Sequence, residues 1–262
     1  MPQIPRDFAA AHILISNDDG IHAQGIKVLE DCIDALGAQK RIVAPESEQS
    51  AAGHSLTIHR PLRIQVYDDM HYSVYGTPTD CIVMGIQHIM KDHPPDLVVS
   101  GINHGKNAGD DVTYSGTIAA AIEATLLGYP AIAFSQHIGG GHGDINWETA
   151  RQWVPEILKK LAGFEMERNT LLNVNLPRPD MTPKGIALVQ QGHYDPTTDD
   201  VIECIDPRGR KYFWIGPPPQ NEHSGMDYDT GALSEGYITI TPLTLNLTHH
   251  AMLKALKEKI NL

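Results

Sequence analysis

Positive charge is scarce in this sequence: 20 lysines and arginines stand against 32 aspartates and glutamates, a formal net charge of −12. A duplex-binding surface works through clustered basic side chains that displace counterions, so polymeric nucleic acid is not expected as a partner. Small anions stay open, because a metal ion or a helix N-terminus can hold a phosphate inside an acidic protein. Cysteine is equally sparse. Cys32, Cys81 and Cys204 are odd in number and far apart, with no CxxC pair, as expected in a reducing cytoplasm and without a zinc cage. No apolar run reaches the roughly 18 residues of a membrane-spanning helix. The opening MPQIPRDFAA has no apolar h-region, so a cytoplasmic protein without a membrane partner is expected. Low-complexity composition is also missing, since glycine and proline make up only about 16% of the chain.

What is present is globular. The 262 residues suit one large domain, or a domain with an appendage, better than two equal halves. Short apolar runs alternate with helical spacing through the first 180 or so residues. HILIS (12–16) precedes a helical row at Ile26, Leu29, Ile33 and Leu36, and RIVA (41–44) follows. YSVY (72–75) leads into Thr77-Pro78-Thr79-Asp80, an N-cap, a proline at the first helical position and an acid at the third. DLVVS (96–100), PAIAFS (130–135) and LLNVNL (171–176) read as further strands. The Ala-rich stretch from Thr117 to Leu127 and a segment near 147–162 read as helices, the latter with a kink or late start imposed by Pro155. Such alternation predicts an α/β fold, a largely parallel, Rossmann-like sheet with helices on both faces and sites at the strands' carboxyl ends. After residue 184 the texture becomes β-rich and polar, with a terminal amphipathic segment holding Met252, Leu256 and Ile260. This predicts a catalytic domain over 1–184 and a C-terminal hairpin and helix extension over 185–262, used in oligomerisation.

Chemistry concentrates at the predicted strand ends. Asp18 and Asp19 in Asn17-Asp18-Asp19-Gly20 would repel each other unless a cation lies between them, which favours a hard metal over a helix N-cap. Asn103 and Asn107 lie in a glycine-rich loop that is neither a P-loop nor a dinucleotide fingerprint; an amide there supplies a neutral oxygen ligand, an ordinary turn being the alternative. Ser115, Gly116 and Thr117 open the Ala-rich helix, either as a phosphate cradle or simply as its cap. Ser50 offers a hydroxyl to a metal shell or a phosphate from a surface loop. Lys106 reads as a solvated lysine before a phosphate contact, and Cys32 and Cys81 as core residues. HIGGGHGD (137–144) reads as a flexible loop before a soft-metal site, and the acids Asp195, Asp199 and Asp200 as a solvated loop.

Taken in order, NDDG, an APxxxxS loop with SLT behind it, GTPTDC, VSGIN with GxNxGDD, and YSGT resemble the stationary-phase survival protein SurE family of metal-dependent nucleotidases; EGYITITPL resembles its C-terminal strand. The resemblance implies hydrolysis of nucleoside monophosphates to nucleoside and phosphate, with 3′-nucleotides and short polyphosphate as further candidate substrates. It implies one divalent cation (Mg, Mn or Co) per subunit on Asp18, Asp19, Ser50 and Asn103, one of the two aspartates orienting the attacking water. Asn107, Ser115, Gly116 and Thr117 fall beside the phosphate, and a homodimer or homotetramer is implied. Gln49 and Ala51 depart from the Arg-Ser-Gly often found around that serine, which removes a positive charge. Two other classes are weighed: a non-catalytic nucleotide- or phosphate-binding protein, and a receiver-like signalling module. The latter lacks a phosphate-accepting aspartate after the middle strand, which ends in Ser100-Gly101.

Overall fold

The computed structural model describes residues 1–139, 145–194, 201–215 and 225–260. Eleven strands are assigned among them: β1 (His12–Ser16), β2 (Gln39–Pro45), β3 (Ile64–Val66), β4 (His71–Val74), β5 (Leu97–His104), β6 (Ala131–Gln136), β7 (Thr170–Leu176), β8 (Ile186–Leu188), β9 (Val201–Ile205), β10 (Lys211–Ile215) and β11 (Ile238–Thr244). The α-helices are α1 (Gln24–Asp34), α2 (Pro78–Met84), α3 (Gly116–Leu126), α4 (Glu148–Leu161), α5 (Asp229–Ser234) and α6 (His250–Lys259). No helix among the described residues is long and apolar enough to cross a membrane.

Nine strands form one sheet in the order β3-β4-β2-β1-β5-β6-β7-β11-β8. The pairings from β4 through β7 are all parallel, as the strand and helix alternation requires. Along β1 the side chains divide between the faces. Ile13 and Ile15 join a core with Leu29 of α1 and Val154 of α4, while Leu14 joins another with Ile82 of α2 and Ala120 and Ala124 of α3. All three β1 residues are fully buried, each contributing roughly 1.5–3 kcal/mol by leaving water. The small residues of α3 let that helix lie close on the sheet.

Local signals fix several ends. Thr77 Oγ1 accepts from Asp80 N at 3.1 Å and Asp80 Oδ2 accepts from Thr77 N at 2.8 Å, completing the capping box that starts α2. Helix α4 does not start late, because it begins at Glu148 and carries Pro155 inside it. Cys32 and Cys81 are buried in the core, and burial pushes the Cys32 thiol up to about 12, which makes it inert as a nucleophile.

The C-terminal β-rich extension is present, but it is not all appended. Strand β11 pairs antiparallel with β7 and parallel with β8, so residues beyond 184 complete the main sheet. The β9–β10 hairpin forms a separate two-stranded sheet, and α6 has no buried residue. Asp195, Asp199, Asp200 and the loop centre 140–144 lie outside the described residues.

The strand order reverses between β1 and β5: the chain runs outward one way through β2 and β4 and the other way through β6 and β7. A doubly wound sheet opens a crevice at the carboxyl ends of two such strands. Asp18 and Asp19 follow β1 there, and Asn103 lies near the end of β5.

Candidate functional site

The loop after β1 is closed on itself. Asn17 Nδ2 donates to Gly20 O at 3.0 Å and Gly20 N donates to Asn17 Oδ1 at 3.2 Å. Gly20 has φ +99°, a left-handed value that glycine adopts without strain. This knot turns Asp18 and Asp19 into a cavity of about 770 Å³, large enough for a nucleotide-sized ligand. Helix α1 is capped by Ala23 without a side-chain bond, so neither aspartate is spent as its N-cap.

Asp18 is buried, and its Oδ1 accepts a hydrogen bond from the Thr117 hydroxyl. Burial pushes its carboxyl up to about 6, with the Thr117 bond opposing and the Asp19 charge adding to the rise. Asp19 is also raised, first by burial and further by Glu48, while the His104 amide holds its Oδ2 at 3.3 Å and pulls the other way. Gly116 is part of this packing: a Cβ there would meet the Asp18 Cβ at 2.6 Å.

Ser50 and Asn103 line the same cavity. Asn103 Nδ2 donates to Gly105 O at 3.0 Å, which commits the amide nitrogen and leaves the oxygen as the group to act as a ligand. Ser50 Oγ donates to Glu48 Oε1 at 2.7 Å, and Gln49 N ties the same loop to Asp18 O at 2.8 Å. Two adjacent carboxylates raised chiefly by burial, a neutral amide oxygen and a hydroxyl make an all-oxygen donor set. A hard divalent cation fits it, because positive charge there offsets the cost of holding two ionised carboxylates out of water and beside other acids. Among the described residues there is no cluster of three or more His, Cys, Asp and Glu side chains able to hold a metal, so the neutral oxygens matter to the fit.

The residues expected beside a phosphate fall in different places. Ser115 lines the cavity and also caps α3, its Oγ accepting from Ile118 N at 3.1 Å, so both sequence readings describe it. Thr117 is fully buried and faces Asp18. Asn107 lines the cavity under tight restraint: its N donates to Asn175 Oδ1 at 2.8 Å, its Nδ2 donates to Ser135 Oγ at 2.9 Å, and its carbonyl accepts from Asn173 and Asn175 at 2.7 and 3.0 Å. Lys106 is not the solvated surface lysine expected, since it is half-buried in the cavity wall.

Other lining residues were not picked out from sequence: Glu48, Asp111, Tyr114 and Trp147. The pair Asn173 and Asn175 carried a readable signal, two amides in alternate positions of the otherwise apolar run LLNVNL (171–176). Glu48 carried none, being one of several acids in a polar loop. His137, first of the histidines in the glycine loop, is held neutral by burial, its pKa lowered to about 4, and its Nδ1 accepts from Gly139 N at 3.0 Å.

A doubly wound α/β sheet with carboxylates, amides and a helix N-terminus gathered at its strand-order reversal defines a class, the open α/β proteins that take an anionic ligand at the sheet's carboxyl edge. The model of the family "Survival protein SurE" matches residues 13–198. A 5′-nucleotidase SurE of Paramagnetospirillum magneticum is 47% identical over 252 residues, covering 96% of each chain. The 5′-nucleotidase SurE of Rhodospirillum rubrum is 46% identical over 254 residues, covering 95% of this chain and 96% of its own. The crystal structure of the SurE protein from Aquifex aeolicus superposes with a TM-score of 0.81 at 38% identity, covering 94% of this chain and 98% of that one. The chain belongs to the survival protein SurE family.

Proposed function

We propose that this protein is a metal-dependent 5′-nucleotidase, hydrolysing nucleoside monophosphates to nucleoside and phosphate. Beyond the family itself, one observation carries the reading: two adjacent carboxylates, one buried and one half-buried and both raised chiefly by burial, share a cavity with neutral oxygen donors. Asp18, Asp19, Ser50 and Asn103 would hold one divalent cation, with Mg, Mn or Co as the candidates. When bound, that cation supplies Lewis-acid polarisation of a phosphoryl oxygen.

The chain's own groups divide the remaining work. Asp18 is an anchor, wedged against Gly116 and held by Thr117. Asp19 is the less buried of the pair, which suits it to orient the attacking water and accept its proton. Water oxygen then bonds to phosphorus, the ester P–O bond breaks, and the proton passes on to the departing nucleoside oxygen. Ser115, with the first turn of α3 behind it, and Asn107 face the phosphoryl oxygens, and Gly116 and Thr117 support them by fixing Asp18.

The two-domain division at residue 184, the cytoplasmic location and the assembly belong to the same proposal. Phe213, Trp214 and Ile215 of the hairpin are exposed, as are Met252 and Leu256 of α6 and Ile260 at its C-cap. Exposed large apolar side chains of this kind would be covered in a homodimer or homotetramer. The deciding experiment is phosphate release from a panel of phosphomonoesters, with chelator and then with single metals added back. Full activity in excess EDTA sinks the metal dependence; no release from any nucleotide with any metal leaves the non-catalytic binding protein as the better account.

A further inference from the structure

Of the described residues lining the cavity, four are carboxylates: Asp18, Asp19, Glu48 and Asp111. A divalent cation balances the charge of two. A phosphate monoester arrives with close to two negative charges of its own, and at half-buried depth like charges repel more strongly than in water. The lysine or arginine in that wall is Lys106.

Its placement is built. The ammonium lies 5.5 Å from the centroid of the Tyr194 ring. That ring is itself pinned, with its hydroxyl donating to Ala108 O at 3.0 Å and to the Asp111 carboxylate, and its amide donating to Asp110 Oδ2 at 2.8 Å. The chain on either side of Lys106 is equally fixed: Gly105 N donates to Gln136 O at 3.0 Å, and Asn107 is clamped by β7. A lysine stem backed by an aromatic face and flanked by two anchored residues loses less freedom on gripping a ligand than one on a free surface.

We propose that Lys106 is a specificity-determining residue of this pocket, the cation that meets the dianionic phosphoryl group of the substrate. It rests on the reading of the pocket as a phosphomonoester site. A compact ammonium is suited to the task, acting as a point charge on phosphate oxygens. Its charge offsets one of the two wall carboxylates left over once the aspartate pair is balanced.

The test uses the full chain with Lys106→Met, Lys106→Gln and Lys106→Arg. Inorganic phosphate is titrated calorimetrically with Mn²⁺ present, Mn²⁺ is titrated alone, and steady-state kinetics are run on a nucleoside monophosphate. Methionine and glutamine should weaken phosphate binding and raise KM on the order of tenfold or more, with kcat within about threefold. Mn²⁺ should bind these variants as tightly as wild type or more so, because a like charge has left the cavity. Arginine should restore KM. Unchanged phosphate affinity in both neutral variants overturns the proposal, as does a parallel loss of phosphate binding, Mn²⁺ binding and melting temperature, which marks a structural lysine. Normal nucleotide hydrolysis with an unmoved KM removes the role of Lys106 and leaves the nucleotidase standing. Phosphate binding that depends on Lys106 in a protein without hydrolysis removes the nucleotidase and leaves the lysine.

Discussion

Asp18→Asn separates what the carboxylate does for the fold from what it does for a cation. In the metal-free protein the Asp18 carboxyl is lifted from 3.8 to about 6, so the folded state binds its proton more tightly than the unfolded chain does. Stability from this group is fully present below pH 4 and is lost as pH rises from about 4 to about 6. At pH 7 the ionised form costs the metal-free fold on the order of 3 kcal/mol, about two pK units at ~1.4 kcal/mol each. Asparagine has nearly the same shape and can still accept from Thr117, but carries no charge to bury. Metal-free Asp18→Asn is therefore expected to melt higher than metal-free wild type at pH 7, by roughly 4–10 °C for a chain of this size. The advantage should shrink towards zero by about pH 4, where wild-type Asp18 is protonated. Added divalent cation should close that gap, stabilising wild type by about 2.7 kcal/mol at a hundredfold excess over Kd, and should reverse the order near a thousandfold excess, where the gain is about 4.1 kcal/mol, the variant gaining much less. Activity of the variant should fall by at least roughly a hundredfold. Differential scanning calorimetry between pH 4 and 8, with EDTA and then with Mn²⁺, reads every part of this. A variant less stable than wild type at pH 7 in EDTA, or a difference that does not change with pH, refutes the reasoning.

Four further outcomes are expected. Gly116→Ala should lower activity on the order of tenfold or more while leaving the chain folded, because its methyl displaces Asp18; normal kcat would show that the wedge is unimportant. Leu14→Ala should cost about 2–5 kcal/mol in urea unfolding, since Leu14 is fully buried on the α2–α3 side of the sheet. Cys32→Ser should hydrolyse nucleotides at the wild-type rate once folded, and a folded but inactive variant would point to a thiol mechanism. Sedimentation of the intact chain at micromolar concentration should show a dimer or tetramer, with Met252→Lys and Leu256→Lys shifting it towards monomer; a monomeric wild type would contradict the oligomer.

The strands HILIS, RIVA, DLVVS, PAIAFS and LLNVNL were legible because each is a short apolar run with punctuation at both ends, and the α2 cap because its chemistry is local. The aspartate pair was legible for a similar reason: two adjacent like charges at a strand end demand an explanation within a few residues. What stayed hidden depends on contacts between distant residues. Nothing near EGYITITPL says that it slots between β7 and β8. The same holds for Glu48 and Lys106, whose sequence neighbours look like surface loop and whose cavity exists only after β1, β2 and β5 are side by side. Thr117 was placed in the right neighbourhood for a different reason than the one that keeps it, since its hydroxyl is spent on Asp18 and not turned to the cavity. Strands β3 and β9 went unread, being short and exposed in places where no alternation of burial leaves a pattern.

The slot taken by β11 has a consequence in time. During synthesis the chain emerges in order, and β7 is complete some sixty residues before its antiparallel partner. Until Ile238–Thr244 arrive, the edge of β7 that will receive them is an open ladder, and the strand whose Asn173 and Asn175 clamp the asparagine loop is held on one side only. An unpaired strand edge is the feature most prone to pairing with another chain. A nascent or prematurely ended polypeptide stopping anywhere between residues 177 and 237 thus carries every proposed metal ligand and the asparagines that clamp Asn107, but lacks the strand that closes the open edge of β7, making it more apt to aggregate than to act.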